Sequence, residues 1–207
     1  MRLTFDDPQR DRLAEAITRA ERKTRGEIVV VVTRHCDDYH WVPLLWASVA
    51  ALALPPLVYW FQWWTPVKIY LAQLALFAAL LLVLSYWPIR MAIATPALKR
   101  KYARRLAREQ FVSHGLHTTK GRTGILIFVA IAERYCEVVA DVAVAAKVPQ
   151  AEWDAMVADL VSAFARGDEE EGLMRAVQSA GAILERHFPS RDGLPDELPN
   201  EVRVLEH

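Results

Sequence analysis

Three carboxylates, Glu133, Glu137 and Asp141, recur at four-residue spacing late in the chain. Oxygen ligands of this kind suit hard cations, so calcium or magnesium are the ions such a group would take. The surrounding residues read as a β-hairpin, with Ala132, Glu133 and Arg134 in the turn. Each carboxylate then has a simpler role: Glu133 in a solvated turn, Glu137 on an exposed strand face, Asp141 capping the next helix. His114 and His117 stand beside Lys120 and Arg122. Two imidazoles need at least a third ligand to hold zinc, and none is evident. They would alternatively serve as phosphoryl acceptor and clamp. A basic loop at a helix C-terminus explains them more simply. The acidic run Asp168, Glu169, Glu170, Glu171 likewise fits a helix N-terminus, where negative charge is favourable. Gly121-x-x-Gly124 lacks the spacing and the Lys-Thr ending of a phosphate loop. No nucleophile elbow is present. The last group is basic: Lys99, Arg100, Lys101, Arg104, Arg105 and Arg108. Anionic lipid headgroups are its nearer partner than nucleic acid, at about 1 kcal/mol per basic residue.

These residues need elements to hold them. Residues 7–24 place Leu13, Ala16, Ile17 and Ala20 on one helical face. Asp6 or Asp7 can cap this helix, Pro8 suits its first turn, and Gly26 stops it. The β-branched run at 28–32 suits a strand buried on both faces. A basic helix at 96–114 ends at Gly115, and residues 124–132 form a second buried strand paired with an antiparallel return at 135–141. Two amphipathic helices follow, at 150–165 and 169–188. The second starts as a capping box between Asp168 and Glu171. Together these predict one α/β/α sandwich around a small mixed sheet, with residues 190–207 as a flexible tail.

The chain's 25 acidic and 25 basic residues cancel, yet their distribution is uneven. Residues 41–64 and 69–89 are nearly uncharged, each about as long as the ~20 residues a helix needs to cross a bilayer. Trp41, Tyr59, Trp60, Trp63, Trp64, Tyr70, Tyr86 and Trp87 mark their ends, as aromatic belts do. Pro55 and Pro56 should kink or break the first helix. The expected organisation is residues 1–40 as the first helix and strand, 41–90 as a transmembrane hairpin, 91–189 as the rest of the sandwich, then the tail. Residues 1–12 lack the apolar core of a signal peptide. Basic residues crowd after the second stretch, while Lys68 stands alone in the turn between them. That asymmetry puts both termini in the cytoplasm of a bacterial inner-membrane protein and the sheet close to the bilayer. The hairpin also offers a surface for homo-oligomers. Cys36 and Cys136 show no metal-type spacing and read as free thiols.

The order of elements resembles the TPM domain family. Thr24-Arg25-Gly26-Glu27 leads into the first strand, and Phe111 and Gly115 lead into Arg122-Thr123-Gly124-Ile125-Leu126-Ile127. Glu133-Arg134-x-x-Glu137-Val138, Phe164-x-x-Gly167-Asp168 and Gly172-Leu173 complete the likeness. The resemblance implies an α/β/α sandwich and a role in assembly or upkeep of membrane complexes. It also implies an alternative, since some plant members are described as acid phosphatases with divalent cations nearby. This chain departs from the family pattern in two ways. Its anchor interrupts the domain, and Ala140-Asp141-Val142-Ala143 replaces the usual glycine-rich segment after the hairpin. The primary expectation is therefore a membrane-anchored interaction or assembly module with an unidentified membrane-protein partner. The alternative is a divalent-cation-dependent phosphatase. Two spans without a central ionisable residue offer no transport path unless they oligomerise.

Overall fold

The computed structural model describes residues 7–60, 65–190 and 202–205. The chain divides into two compact units, one of residues 1–36 with 100–207 and one of Asp37–Lys99.

The first unit is built on a four-stranded sheet. Its strands are β1 (Glu27–Thr33), β2 (Gly124–Ala130), β3 (Tyr135–Ala140) and β4 (Val202–Leu205), in the order β3-β2-β1-β4. β1 and β2 run parallel with Glu27 opposite Gly124 and Val30 opposite Ile127. All seven residues of each are buried, which is why both read as unbroken apolar runs. Alternation sorts them between two layers. Ile28, Val30, Val32, Ile125, Ile127 and Val129 face one core. There they meet helices α1 (Asp7–Glu21), α7 (Gln150–Arg166) and α8 (Glu169–His187). Val29, Val31, Leu126, Phe128 and Ala130 face the other core. Helix α5 (Pro96–Ser113) covers that side through Ala103, Ala107 and Phe111. The pairing of residues 28–32 with 125–129 in one sheet is as the sequence predicts.

Small residues let the helices approach closely. A Cβ on Gly172 of α8 would lie 2.5 Å from the Ala163 Cβ of α7. Gly167 closes α7 at φ 85°, the left-handed conformation a helix C-terminus favours. The capping box does not form. Asp168 gives no side-chain cap to α8, because its Oδ2 takes Arg166 Nε at 3.2 Å instead. Its backbone carbonyl starts the helix by accepting from Gly172 N–H. The Asp6 cap lies outside the described residues.

The expected tail is corrected in part. Val202–Leu205 pairs parallel with β1, Val30 opposite Val202. Without it β1 would present a bare apolar edge. Residues 191–201 and 206–207 lie outside the description.

The second unit holds helices α2 (Trp41–Trp60), α3 (Pro66–Leu84) and α4 (Trp87–Ile93), which pack on one another. Both α2 and α3 are long and apolar enough to cross a membrane. Pro55 and Pro56 do not break α2, which stays helical through both. Each lacks the N–H that would reach the carbonyls of Ala51 and Leu52, a loss a helix tolerates when a neighbour packs against it. The second stretch is shorter than expected. It stops at Leu84 because Pro88 favours a fresh start in the first turn of α4. Trp63 and Trp64 lie outside the described residues.

Val30 is fully buried at the centre of the sheet. Val30→Asp should cost on the order of 4 kcal/mol by burying an unpaired carboxylate. Denaturant unfolding of the purified protein would read this, and a midpoint equal to wild type would refute the packing described.

Candidate functional site

Strand β3 spreads the three carboxylates apart. Successive strand residues advance about 3.3 Å, so Glu137 and Asp141 stand roughly 13 Å apart along the chain, with Glu133 beyond the other end. Each has its own partner. Glu133 is buried in the β2–β3 turn, and its Oε1 accepts from Cys36 N–H at 3.0 Å, tying the turn to the chain leaving β1. Glu137 lies on the α5 side, where its Oε2 accepts from the Tyr135 hydroxyl at 2.6 Å. Arg104 Nε is 3.6 Å from its Oε1 and 3.4 Å from the Tyr135 oxygen. Asp141 is 3% exposed. Its Oδ1 accepts from Val142 N–H at 2.7 Å, so it caps the short helix α6 (Val142–Lys147) as the sequence suggests. Its Oδ2 lies 2.9 Å from Arg122 Nε. Among the described residues no three of His, Cys, Asp or Glu converge to hold a metal ion. The expected grouping of Glu133, Glu137 and Asp141 is therefore not brought together.

The histidine loop is equally structural. His114 Nδ1 lies 2.8 Å from the Gln110 carbonyl, so that nitrogen is the donor. A 3-10 turn at Leu116–Thr118 follows, with Gly115 in the left-handed conformation. Leu116 is fully buried and packs against Gly124. His117 Nδ1 is enclosed without a hydrogen-bond partner among the described residues. Arg122, at φ 51°, holds the loop to Asp141. The loop thus anchors the start of β2.

The basic residues of α5 divide into two groups. Arg104 belongs to the Tyr135–Glu137 cluster, and Arg105 pairs with Glu109 at 2.7 Å. Arg100, Lys101 and Arg108 are exposed and have no acidic partner among the described residues. Lys99 is half-buried. In the second unit Arg90 is buried. It donates from Nη1 to His40 Nδ1 at 2.7 Å and lies 5.0 Å from the centre of the Trp87 ring. His40 Nε2 faces Asp38 Oδ2 at 3.3 Å.

Sequence reading missed one feature of the first unit. The β2–β3 turn and the end of α7 enclose a cleft of about 980 Å³. Val129, Ile131, Leu160, Val161 and Phe164 form its walls, with Arg134 and Arg166 at its polar edge. In sequence Val161 fits the apolar pattern of α7, and only the structure shows it 47% exposed. The Tyr135 phenol is pushed above its ordinary range by burial and by its hydrogen bond to Glu137. It stays a donor at neutral pH rather than a base.

These elements define an α/β/α sandwich whose β1-to-β2 crossover carries an apolar helical insert. A family model described as TPM domain matches residues 89–183 of this chain. The match begins within α4, at the end of the insert, whereas α1 and β1 precede it. No curated protein matches. Among solved structures, the NMR structure of BA42 protein from the psychrophilic bacterium Bizionia argentinensis aligns with a TM-score of 0.62 and 18% identity. The alignment covers 99% of this chain and 97% of that one, and at this identity it speaks for the fold.

Cys36 and Cys136 are free thiols. Burial, with the Glu137 charge adding, pushes the Cys136 thiol up to about 12 from an ordinary 9.0. In Cys36→Ser protein at pH 8, iodoacetamide should alkylate the half-buried Cys136 many-fold more slowly while folded than in denaturant. The unfolded thiol loses its proton first, so this group's stability contribution is complete below pH 9 and falls as pH rises towards 12. Rapid labelling of the folded protein, read by mass spectrometry, would contradict the burial.

Proposed function

We propose that the chain is a membrane-anchored TPM-domain protein whose domain serves assembly or upkeep of membrane complexes through protein contacts. The observation that carries the anchor is where apolar surface lies. Of the large hydrophobic side chains left exposed, Leu44, Leu45, Trp46, Val49, Leu52, Leu57 and Trp60 sit on α2. Val67, Tyr70, Leu71, Leu74, Leu82 and Val83 sit on α3, where no residue is buried. Among the described residues beyond the insert, only Val112, Val142 and Val161 join them. Apolar area at about 25 cal/mol per Å² does not stay in water on this scale, and a bilayer covers it. The absence of any Asp, Glu, Arg or further Lys in α3 beyond Lys68 in its first turn supports the same reading.

The non-enzymatic role is supported by the work each polar residue already does. Glu133, Glu137, Asp141 and Arg122 hold the hairpin, its turn and its following helix in place. A cation-dependent phosphatase needs a nucleophile or activated water and cations on the phosphoryl oxygens. Among the described residues no three of His, Cys, Asp or Glu gather to hold such cations. Anionic lipid is the proposed partner of α5. That helix starts at Pro96, soon after α3 ends at Leu84, and carries the unpaired Arg100, Lys101 and Arg108.

Two measurements test this reading. In bacterial cells the chain should resist alkaline-carbonate extraction. A reporter active only outside the cytoplasm should be silent when fused after His207. Release into the soluble fraction would remove the anchor, and a strong signal would invert the orientation.

The second concerns α5. In a variant with residues 41–90 replaced by a Gly/Ser linker, glutamine at Lys99, Arg100, Lys101, Arg104 and Arg105 should weaken binding to anionic vesicles at least tenfold. Binding to neutral vesicles should not change, and salt should mimic the substitution. Equal sedimentation of both proteins with anionic vesicles would discard the lipid role.

A further inference from the structure

Strand β3 ends the sheet, and its register fixes which backbone groups are left over. Asp141 N–H donates to Gly124 O. Hydrogen-bonded pairs in an antiparallel ladder recur every second residue. The bonded pairs are therefore Leu126 with Val139, Phe128 with Glu137 and Ala130 with Tyr135. Cys136, Val138 and Ala140 turn their N–H and C=O groups outward, to the open edge. The side chains of the same three residues pack towards the α7 and α8 core.

Beside the first part of this edge lies the cleft between the β2–β3 turn and α7. Its walls are apolar, and Val161 on its α7 side is 47% exposed. Its charged side chains are both cationic. Arg134 has no acidic partner among the described residues, and Arg166 shares only the exposed Asp168, at 3.2 Å. A strand edge unfilled among the described residues, an adjoining apolar trough and two arginines at one end, only one of them paired there with an acid, select a specific kind of ligand. The edge offers main-chain hydrogen bonds, the trough takes alternate side chains, and the arginines take a carboxylate.

We propose that β3 and the α7 cleft form a docking site for an extended segment of a partner protein. That segment adds as a strand to β3, places β-branched side chains against Val161 and Phe164, and sets a carboxylate beside Arg134 and Arg166. The carboxylate is either the segment's own C-terminus or an Asp or Glu side chain. The inference rests on reading the domain as an interaction module and specifies what that module holds.

The test uses the full chain in nanodiscs and fluorescein-labelled hexapeptides of alternating Thr and Val, read by fluorescence anisotropy. One peptide ends in a free carboxylate, one in a carboxamide, and one carries a Glu before the carboxamide. The free acid, the Glu peptide or both should bind, and the uncharged amide should bind at least tenfold more weakly. The acid alone binding assigns a C-terminus, and the Glu peptide binding assigns an internal acidic segment. Arg134→Gly should weaken the acidic peptides about tenfold, and glycine suits the left-handed φ of 51° at that position. Val138→Pro should abolish binding of all three. Its lost N–H points outward, so the β2–β3 ladder and the far-ultraviolet spectrum should persist. No saturable binding by either acidic peptide, equal binding by the amide, or binding unchanged in Val138→Pro would overturn the proposal. Carbonate extraction reports the anchor separately, so either result can fail without the other.

Discussion

The parallel pairing of β1 with β2 is the constraint on which the first unit depends. Two adjacent parallel strands cannot be joined by a tight turn; the chain must cross over a face of the sheet. Helix α5 makes that crossover, with Ala103 and Ala107 small enough to lie close to Val29, Val31, Leu126 and Phe128. The insert sits in the same connection. Loop-closure cost grows only with the logarithm of length, so α2, α3 and α4 add little entropic penalty to a pairing already long-range. What the register demands is that both faces be covered. The α1, α7 and α8 layer does this on the other side, through Leu13, Ile17, Leu160 and Leu184 among others.

Around that sheet the polar residues act as fasteners. Glu133 secures the hairpin turn to Cys36, and Asp141 with Arg122 secures both ends of the β2–β3 unit where α6 begins. Thr24 Oγ1 donates to Phe188 O at 2.7 Å, joining the end of α8 to the approach to β1. Arg12 and Gln9 both bond Glu170, clamping α1 to α8. The Arg12 guanidinium holds the Glu170 carboxyl below its ordinary range. A surface ion pair of this exposure adds little stability by itself, and its use is in fixing which helix faces meet.

Much of this was written in local pattern. The unbroken runs of β1 and β2, the helical spacing in α1, α7 and α8, and the two apolar helices all follow from composition and period. Other features depended on partners far along the chain. Val202–Leu205 is four residues long and becomes a strand only because β1 offers an edge. Asp168 looks like a cap by position, yet Arg166 two residues before captures its side chain. Pro55 and Pro56 predict a break that packing within the insert prevents. The four-residue spacing of Glu133, Glu137 and Asp141 suggested a cluster, although in a strand such spacing extends rather than gathers. The cleft escaped notice because its walls come from β2, the turn and α7, separated in sequence and meeting only once the sheet is built.

The position of the insert has a consequence for how the chain is made. β1 leaves the ribosome before either apolar helix, and β2 only after both. At a synthesis rate on the order of 5–20 residues per second, β1 therefore spends several seconds without the strand it pairs with. During that interval seven consecutive core residues, Glu27–Thr33, have neither edge nor face covered by β2 or α8. Until α5 emerges, α1 is the only part of the first unit already synthesised, and its contacts to β1 are few beside those it makes with α8. The earliest-made strand is thus the one longest exposed to misassociation. Within the chain, α5 is the first element able to cover a face of it, and its edge stays bare until translation has carried past Ala130.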